Sequence, residues 1–297
     1  MNMIVSAIGQ GLLWGILGIA LFLTFRILNF PDMTVEGTFP LGAATAVSLI
    51  TRGVSPILAT LAAFIAGALA GGITGLLYTK GKIPILLSGI LVMTACLSVN
   101  LRILGSSNVS LIGKRTIFSP FAGLPEYFDA VFIGLTMVFI VTLIMIYFLQ
   151  SNLGQAFIVT GDNPIMAQSI GIRTDQMTNT GLMFSNGLIA IAGAVIAQNN
   201  GYADINMGIG IIVIALASII IGEVVFGELT MNQRLIAITL GSIIYRFVLL
   251  IVLQLGFSTN DLNLLSAIIL AFCLMLPRFS QALHLDRVMK KGLFVND

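Results

Sequence analysis

Few side chains of this sequence could do chemistry, and most of them interrupt long apolar runs. The stretch NFPDMTVEGTFPLGAA places Asp32, Thr34 and Glu36 between two prolines. Ionisable and amide groups inside apolar segments are costly, so they usually pair with one another or line a path for a solute or an ion. Glu223 and Arg246 are candidates for a pair between helices. We expect a path to draw on Asp32, Thr34, Glu36, Ser98, Asn100, Asn186 and Glu223.

The sequence offers no set of residues for enzyme catalysis. A nucleotide-binding loop of the form G-x-x-x-x-G-K-[ST] is absent, because the nearest match has Leu76 in place of the first glycine and Ile83 in place of the final hydroxyl residue. The single histidine, His284, cannot form a histidine-based metal cluster or proton relay by itself. We therefore assign no catalytic residue and no metal ligand to this chain.

Composition places these polar groups in a membrane protein. Hydrophobic residues make up 58% of the 297 positions and charged residues 9%, with a mean hydropathy of +1.06, whereas a soluble domain carries about 25% charged residues. Stretches such as GIGIIVIALASIIIG are apolar at almost every position, which excludes the alternation of a membrane β-barrel strand. The predicted fold class is all-α, a polytopic transmembrane helix bundle forming one domain over residues 1–297. A net charge of +2 gives no reason to expect a nucleic-acid partner.

Apolar runs and the breaks between them predict about 8–9 spans, since one crossing takes about 20 residues. The first run lacks the basic start of a signal peptide, so we interpret it as a retained span. The candidate segments are Met3–Phe25, Val35–Ile50, Pro56–Thr79, Ile83–Leu104, Ala130–Leu149, Thr180–Gln198, Met207–Phe226, Leu235–Leu255 and Leu262–Leu276.

The second segment is too short to cross a bilayer straight, and Pro31, Gly37 and Pro40 lie at its start. This predicts a broken helix near the start of the chain, which is tolerated at membrane depth where it lines a cavity or is covered by protein. In that arrangement Asp32 and Glu36 lie beside the path. The alternative is that both are helix-start carboxylates at the cytoplasmic surface, where the helix dipole favours them.

The third segment carries a stripe of small residues, Ala63, Gly67, Gly71 and Gly75. Small residues on one face let two helices approach closely in lipid. We expect this stripe to pack within the bundle rather than between subunits.

The orientation follows from the basic residues, which favour cytoplasmic loops. With the polar interval at about 151–178 in the cytoplasm, alternation of the spans leaves only Arg52, Lys114 and Arg115 in outside loops. The N-terminus is then outside and the C-terminus cytoplasmic. The basic residues placed inside are Arg26, Lys80, Lys82, Arg173, Arg234, Arg278, Arg287, Lys290 and Lys291.

The polar interval contains the signals of a short helix. Asn163 can accept backbone N–H bonds at a helix start, and Pro164 fits the first helical position. Gly171 ends the helix after about two turns. The helix would then either lie on lipid or dock into a groove of a partner. Its apolar face would be formed by Ile165, Met166, Ala167 and Ile170.

The stretch LGQAFIVTGDNPIMAQSIGI resembles the cytoplasmic coupling loop of ABC importer permeases in the branched-chain amino acid and ribose group. It departs from the family pattern at Gln155, where the family has Arg, and at Val159, where it has Ala. The element PDMTVEG is similar to one found early in sugar-type members, with Glu36 in place of Gly. The variant LNFPDMTVEGTFPLGAA looks most like permeases paired with tryptophan/tyrosine-type binding lipoproteins. The matching loop positions are Gly154, Ala156, Gly161, Asn163, Pro164, Ala167, Gly171 and Ile172.

The resemblance implies a multi-pass permease subunit of an ABC importer in the bacterial cytoplasmic membrane, which moves a small solute such as an amino acid by alternating access. It implies cytoplasmic ATPase subunits that bind ATP and Mg, an extracytoplasmic solute-binding protein, a second permease copy and membrane lipid as partners. No cofactor is expected in this chain. The residues implied to couple to the ATPase are Gly154, Gly161, Asn163, Pro164, Ile165, Met166, Ala167, Gly171 and Ile172.

Two other function classes remain open from the residues alone. An ion-coupled secondary transporter would need carboxylates in its spans, and Asp32, Glu36 and Glu223 are the candidates. A membrane scaffold without transport would need none of them.

Overall fold

The computed structural model describes residues 2–256, except 122, 124, 126 and 228, and residues 262–282. His284, Arg287, Lys290 and Lys291 therefore lie outside the described residues. Within the described part the chain is almost entirely helical. Its helices are α1 (Asn2–Phe22, continued by a π-helical turn, Leu23–Ile27), α2 (Val35–Thr51), α3 (Pro56–Thr79), α4 (Ile85–Leu104), α5 (Phe128–Gln150), α6 (Asn152–Asp162), α7 (Pro164–Ser169), α8 (Thr174–Asn200), α9 (Ile211–Phe226), α10 (Met231–Gln254) and α11 (Leu262–Ala282).

This architecture confirms an all-α membrane helix bundle. Among the described residues, six helices are long and apolar enough to cross a bilayer, namely α1, α3, α4, α5, α8 and α10. The apolar helix α9, an apolar part of α11 and the 17-residue α2 are shorter. Each of the nine apolar runs thus corresponds to a helix, and a topology of 8–9 spans requires the shorter helices to cross as well.

Helix α8 lies at the centre of the bundle and packs closely on α3. The backbone of α3 approaches α8 at its glycines: a Cβ added to Gly71 would lie 2.8 Å from the Cβ of Asn186, and one added to Gly67 would contact the Asn186 carbonyl. The small-residue stripe therefore packs within the chain, as predicted.

A non-helical stretch precedes α2 at the position predicted for a helix break, and it lies inside the bundle, whereas α2 itself continues unbroken through Pro40. After the π-helical turn at the end of α1, the backbone leaves helical structure and resumes it at Val35. We call residues 28–34 the linker. Asp32 in this linker is 2% exposed and hydrogen-bonds Asn186, about halfway along α8. The alternative that placed Asp32 at the cytoplasmic surface is therefore wrong, because the linker turns back into the bundle before α2 starts.

A small antiparallel ribbon joins two loops at one end of the bundle. Strand β1 (Asn108–Ser110) precedes α5 and pairs with β2 (Tyr202–Asp204), which follows α8. Helix α8 runs from the α6–α7 segment to β2, so these two features mark opposite ends of the bundle, named here the loop side and the ribbon side. Strands of three residues are too short to leave a pattern in the sequence, and the ribbon was not predicted.

Candidate functional site

The loop side is built from two short helices with well-defined ends. The Ser151 hydroxyl accepts a hydrogen bond from the Gly154 N–H (3.1 Å) at the start of α6, and the Asn163 side chain accepts one from the Met166 N–H (3.0 Å) at the start of α7. Pro164 occupies the first position of α7, where its missing N–H costs nothing. At the other end Gly171 adopts a φ of +86°, which glycine tolerates best. The predicted start and stop of this helix are therefore confirmed.

Helix α7 leaves an apolar face uncovered. Ile165, Met166 and Ile170 are 81%, 57% and 61% exposed. We call these three residues the α7 face. The inclusion of Ala167 in this face was wrong, since its side chain is 0% exposed. A six-residue helix has only one side that can point away from the protein, and Ala167 lies on the other.

Hydrogen bonds and close packing attach the α6–α7 segment to the bundle. The Gln168 amide donates to the Thr174 hydroxyl at the start of α8 (2.9 Å), and the Asn29 amide donates to the Gly161 carbonyl (3.1 Å). Gly161 itself contacts the carbonyl of Ile27, and a Cβ there would clash with it. The α6–α7 segment is therefore in direct contact with the end of α1, with the linker and with the start of α8.

Gly154 and Gln155 also act within the chain. Gly154 lies against the last turn of α5, where a Cβ would meet the Phe148 carbonyl. The Gln155 amide donates to the carbonyl of Leu149 (2.9 Å), which would otherwise be an unpaired carbonyl at the end of α5. The residue that replaces the family's arginine thus helps to set the angle between α5 and α6.

Three of the path candidates meet in a buried polar cluster between the linker, α2, α3 and α8. One carboxylate oxygen of Asp32 accepts from the Thr34 N–H (2.9 Å) and the other from the Asn186 amide (2.6 Å). The Asn186 carbonyl oxygen accepts from the Thr38 hydroxyl (2.8 Å), and the Thr34 and Thr74 hydroxyls are 2.8 Å apart. All five residues are at most 2% exposed.

This network, named the Asp32 cluster, satisfies its own polar groups. A buried network of this kind is stable only when its members are paired, and it then fixes one arrangement of the backbone. In this conformation the cluster holds the linker and α2 against α8 and does not line an open path.

The other path candidates lie apart from the cluster. Glu36 is half-buried, and its carboxylate accepts from the Gly210 N–H at the start of α9 (3.1 Å). Asn100 is buried and donates to the Gly37 carbonyl (3.4 Å), whereas Ser98 lies on the exposed side of α4. Glu223 forms an ion pair with Arg26 (3.0 Å) at the loop side.

The expected Glu223–Arg246 pair is wrong. Glu223 is close to the loop-side end of α9, while Arg246 lies in the ribbon-side half of α10. The Arg246 guanidinium instead stacks over the Trp14 ring, 4.4 Å from its centroid.

Thr38 and Thr74 are cluster members that the sequence did not single out. Threonine is common in membrane helices because its hydroxyl can bond the carbonyl one turn earlier. Thr74 makes such a bond to Ala70 (3.3 Å) in addition to its contact with Thr34. The only signal in the sequence is the position of Thr74 beside Gly75 on the stripe that faces α8.

Comparisons with known proteins identify the family of the chain. Residues 3–276 match the family described as the permease component of branched-chain amino acid transport systems. The tyrosine transport system permease protein of Clostridioides difficile (strain R20291) is 40% identical over 270 residues, which is 91% of this chain and 90% of that protein. An uncharacterised protein of Rickettsia prowazekii (strain Madrid E) is 32% identical over 274 residues, 91% of this chain and 96% of that protein.

More distant is an autoinducer 2 import system permease protein of Salmonella paratyphi B, 27% identical over 198 residues, 65% of this chain and 55% of that protein. No solved structure shows significant similarity to the chain. The match to the family model covers most of the chain, including the linker, the α6–α7 segment and the helices between them. The chain therefore belongs to the family of permease components of branched-chain amino acid transport systems.

Proposed function

We propose that the chain is the membrane-spanning subunit of an ABC importer for an amino acid, with an aromatic amino acid such as tyrosine as its solute. The observation that carries the proposal is the α7 face, three large apolar side chains held on a short helix whose ends are fixed to the bundle. Such a face suits a groove of a partner protein. The similarity to a permease named for tyrosine transport supports the choice of solute.

The contacts of the α6–α7 segment supply a route for the coupling. Closure of two ATPase subunits, which bind the ATP and Mg, would displace α7 and, through Gly161 and Asn29, the linker. The linker carries Asp32, so its displacement changes how α2 packs on α8. Alternating access would follow from the relative movement of these packed elements.

The proposed topology has nine crossings in the bacterial cytoplasmic membrane, with the loop side in the cytoplasm and the N-terminus outside. Basic residues of the described loops support it, since Arg26, Lys80, Lys82, Arg173 and Arg234 lie on the loop side. An extracytoplasmic solute-binding protein would dock on the ribbon side, and a second copy of this chain, surrounded by lipid, would complete the path.

An ion-coupled secondary transporter has less support. Both oxygens of Asp32 accept hydrogen bonds, and Glu223 is paired with Arg26. A site for a driving ion would have to break these bonds before it could bind.

The test is uptake of labelled L-tyrosine into proteoliposomes that contain this chain, its cognate ATPase and its binding protein. We expect uptake only when ATP is present on the side of the membrane that carries the ATPase and the binding protein is present on the other side. Uptake by the permease alone under a sodium or proton gradient would contradict the proposal and favour the secondary transporter.

A further inference from the structure

A cavity of about 650 Å³ opens between α1 and α10 on the ribbon side. Its apolar wall is formed by Met3, Ala7, Leu249, Leu250 and Leu253. The polar groups that reach it are the side chains of Ser6, Gln10, Tyr127, Arg246 and Gln254. A concave, largely apolar site with a few polar groups is the usual form of a small-molecule binding site.

Arg246 is the charged residue of this cavity's lining, and it lies well inside α10 rather than at the end of the helix. It stands eight residues before Gln254, the last residue of α10, which corresponds to about 12 Å along the helix. A charge at that depth is costly and calls for a counter-charge. Within the described part of the chain no carboxylate pairs with Arg246, and its buried Nε has no hydrogen-bond partner.

What holds the guanidinium in place is an aromatic stack. The Arg246 Cζ lies over the Trp14 ring, 4.4 Å from its centroid, and Trp14 in turn stacks on Phe39 (5.7 Å between centroids). Stacking fixes one face of the guanidinium but satisfies none of its N–H donors. Nε is enclosed by protein, but the terminal Nη groups are not among the enclosed atoms, and these remain available to an acceptor in the cavity; a carboxylate matches their paired geometry.

We propose that this cavity is a binding site for the carboxylate of a small amphipathic solute, with Arg246 as the carboxylate-binding residue and the aliphatic wall as the surface for the solute's apolar body. The inference rests on the proposed function for its solute class, an amino acid. It adds a route of communication, since Phe39 belongs to α2 and lies one residue from Thr38 of the Asp32 cluster. A solute bound in the cavity would therefore alter the packing of α2 through Trp14 and Phe39.

The chain provides its own reporter for this site. Trp14 is the single tryptophan of the sequence and lies against Arg246. The full-length permease is placed in lipid nanodiscs, and Trp14 emission is followed, with excitation where tyrosine does not absorb, as L-tyrosine or tyramine is added. Tyramine is the analogue that lacks the carboxylate.

We expect a saturable change with L-tyrosine and none with tyramine at the same concentrations. Arg246→Met keeps a long apolar side chain in the bundle and should weaken L-tyrosine binding about tenfold to a hundredfold, the range for losing hydrogen bonds to a charged group. Arg246→Lys, which keeps the charge, should retain part of the affinity. Arg102→Met is the matched control, because Arg102 lies in another spanning helix, exposed and outside the cavity.

Three results would overturn the inference: no response of wild-type Trp14 to L-tyrosine, an equal response to tyramine, or unchanged binding in a folded Arg246→Met variant. If Arg246→Met fails to fold, the comparison of L-tyrosine with tyramine in the wild type and in Arg246→Lys still tests whether Arg246 binds the carboxylate. Failure of the proposed function would look different, since the complete importer would then not take up L-tyrosine with ATP whatever the emission of Trp14.

Discussion

The Asp32 cluster and the α7 face reverse the usual distribution of polar and apolar groups. The cluster is polar and buried, and its hydrogen bonds close on one another. The α7 face is apolar and exposed, and nothing in the described chain covers it. A satisfied buried network resists change, whereas an uncovered apolar face gains free energy only from a partner. Under the proposed function, the cluster sets the resting conformation and the α7 face receives the driving force from the ATPase.

The largest loss of stability is expected from removal of the central carboxylate of the cluster. Asp32→Ala leaves the Thr34 N–H without its acceptor and removes one acceptor of the Asn186 amide, at a cost of about 2–4 kcal/mol. Thermal unfolding of the purified permease measures this loss.

Asp204→Ala is the matched control for Asp32→Ala. The Asp204 carboxylate accepts from the Asn206 N–H (2.8 Å) and from the Asn108 amide (3.2 Å), the same two kinds of donor that Asp32 has, but Asp204 lies half-buried in the ribbon. The control should lose no more than about 1 kcal/mol, because water can replace the carboxylate at both donors. Equal losses in the two variants would mean that burial of the cluster contributes nothing.

The next prediction concerns the contact through which the α6–α7 segment meets the linker and, through it, the Asp32 cluster. Gly161→Ala places a Cβ against the Ile27 carbonyl and forces α6 away from the linker, an overpacking change that costs about 1–3 kcal/mol. We expect the ATPase still to bind α7 while uptake per ATP hydrolysed falls. Unchanged coupling in a folded variant would show that the force takes another route.

A smaller loss of stability should follow from removing a hydrogen bond at the edge of the cluster. Thr74→Val keeps the shape of the side chain and removes the hydroxyl that contacts Thr34, which costs about 1 kcal/mol. Thr60→Val, on the same helix, is an instructive comparison because the Thr60 hydroxyl accepts from the Gln198 amide near the ribbon side (2.9 Å). Uptake should change in Thr74→Val and not in Thr60→Val; the reverse order would exclude the cluster from the transport cycle.

The smallest effect is expected for the ion pair that belongs to neither region. Glu223→Gln removes the charge that pairs with Arg26, and both side chains are partly exposed, so the loss should lie between about 0 and 1 kcal/mol. Uptake should stay near the wild-type rate. A severe loss of uptake with normal folding would indicate that Glu223 lines the transport path and would favour ion coupling.

Sequence patterns predicted the local features well because those features depend on neighbouring residues. The Asn163–Pro164 start, the Gly171 stop and the break before α2 are all set by backbone preferences within a few positions. The packing of the small-residue stripe of α3 within the bundle was predicted equally well, since close helix packing needs small residues.

The long-range contacts of polar residues depend on distant parts of the chain. Asp32 and Asp204 each accept a hydrogen bond from the N–H two residues later, yet one is buried against α8 and the other lies in the ribbon. Such a local turn does not by itself fix how deeply the carboxylate is buried. The partners of Glu223 and Arg246 and the inward side of Ala167 likewise depend on which helices pack together.

The central claim is that the α7 face is the contact for the ATPase, and capture of the cognate ATPase by the purified permease tests it most directly. Ile165→Asp places a charge in that contact, while Ile112→Asp places the same charge at a residue that is 90% exposed beyond β1, on the ribbon side. We predict that Ile165→Asp weakens ATPase binding more than about tenfold and abolishes stimulated hydrolysis, as expected when a central contact is lost, and that Ile112→Asp changes neither. Wild-type capture and hydrolysis with Ile165→Asp would contradict the account.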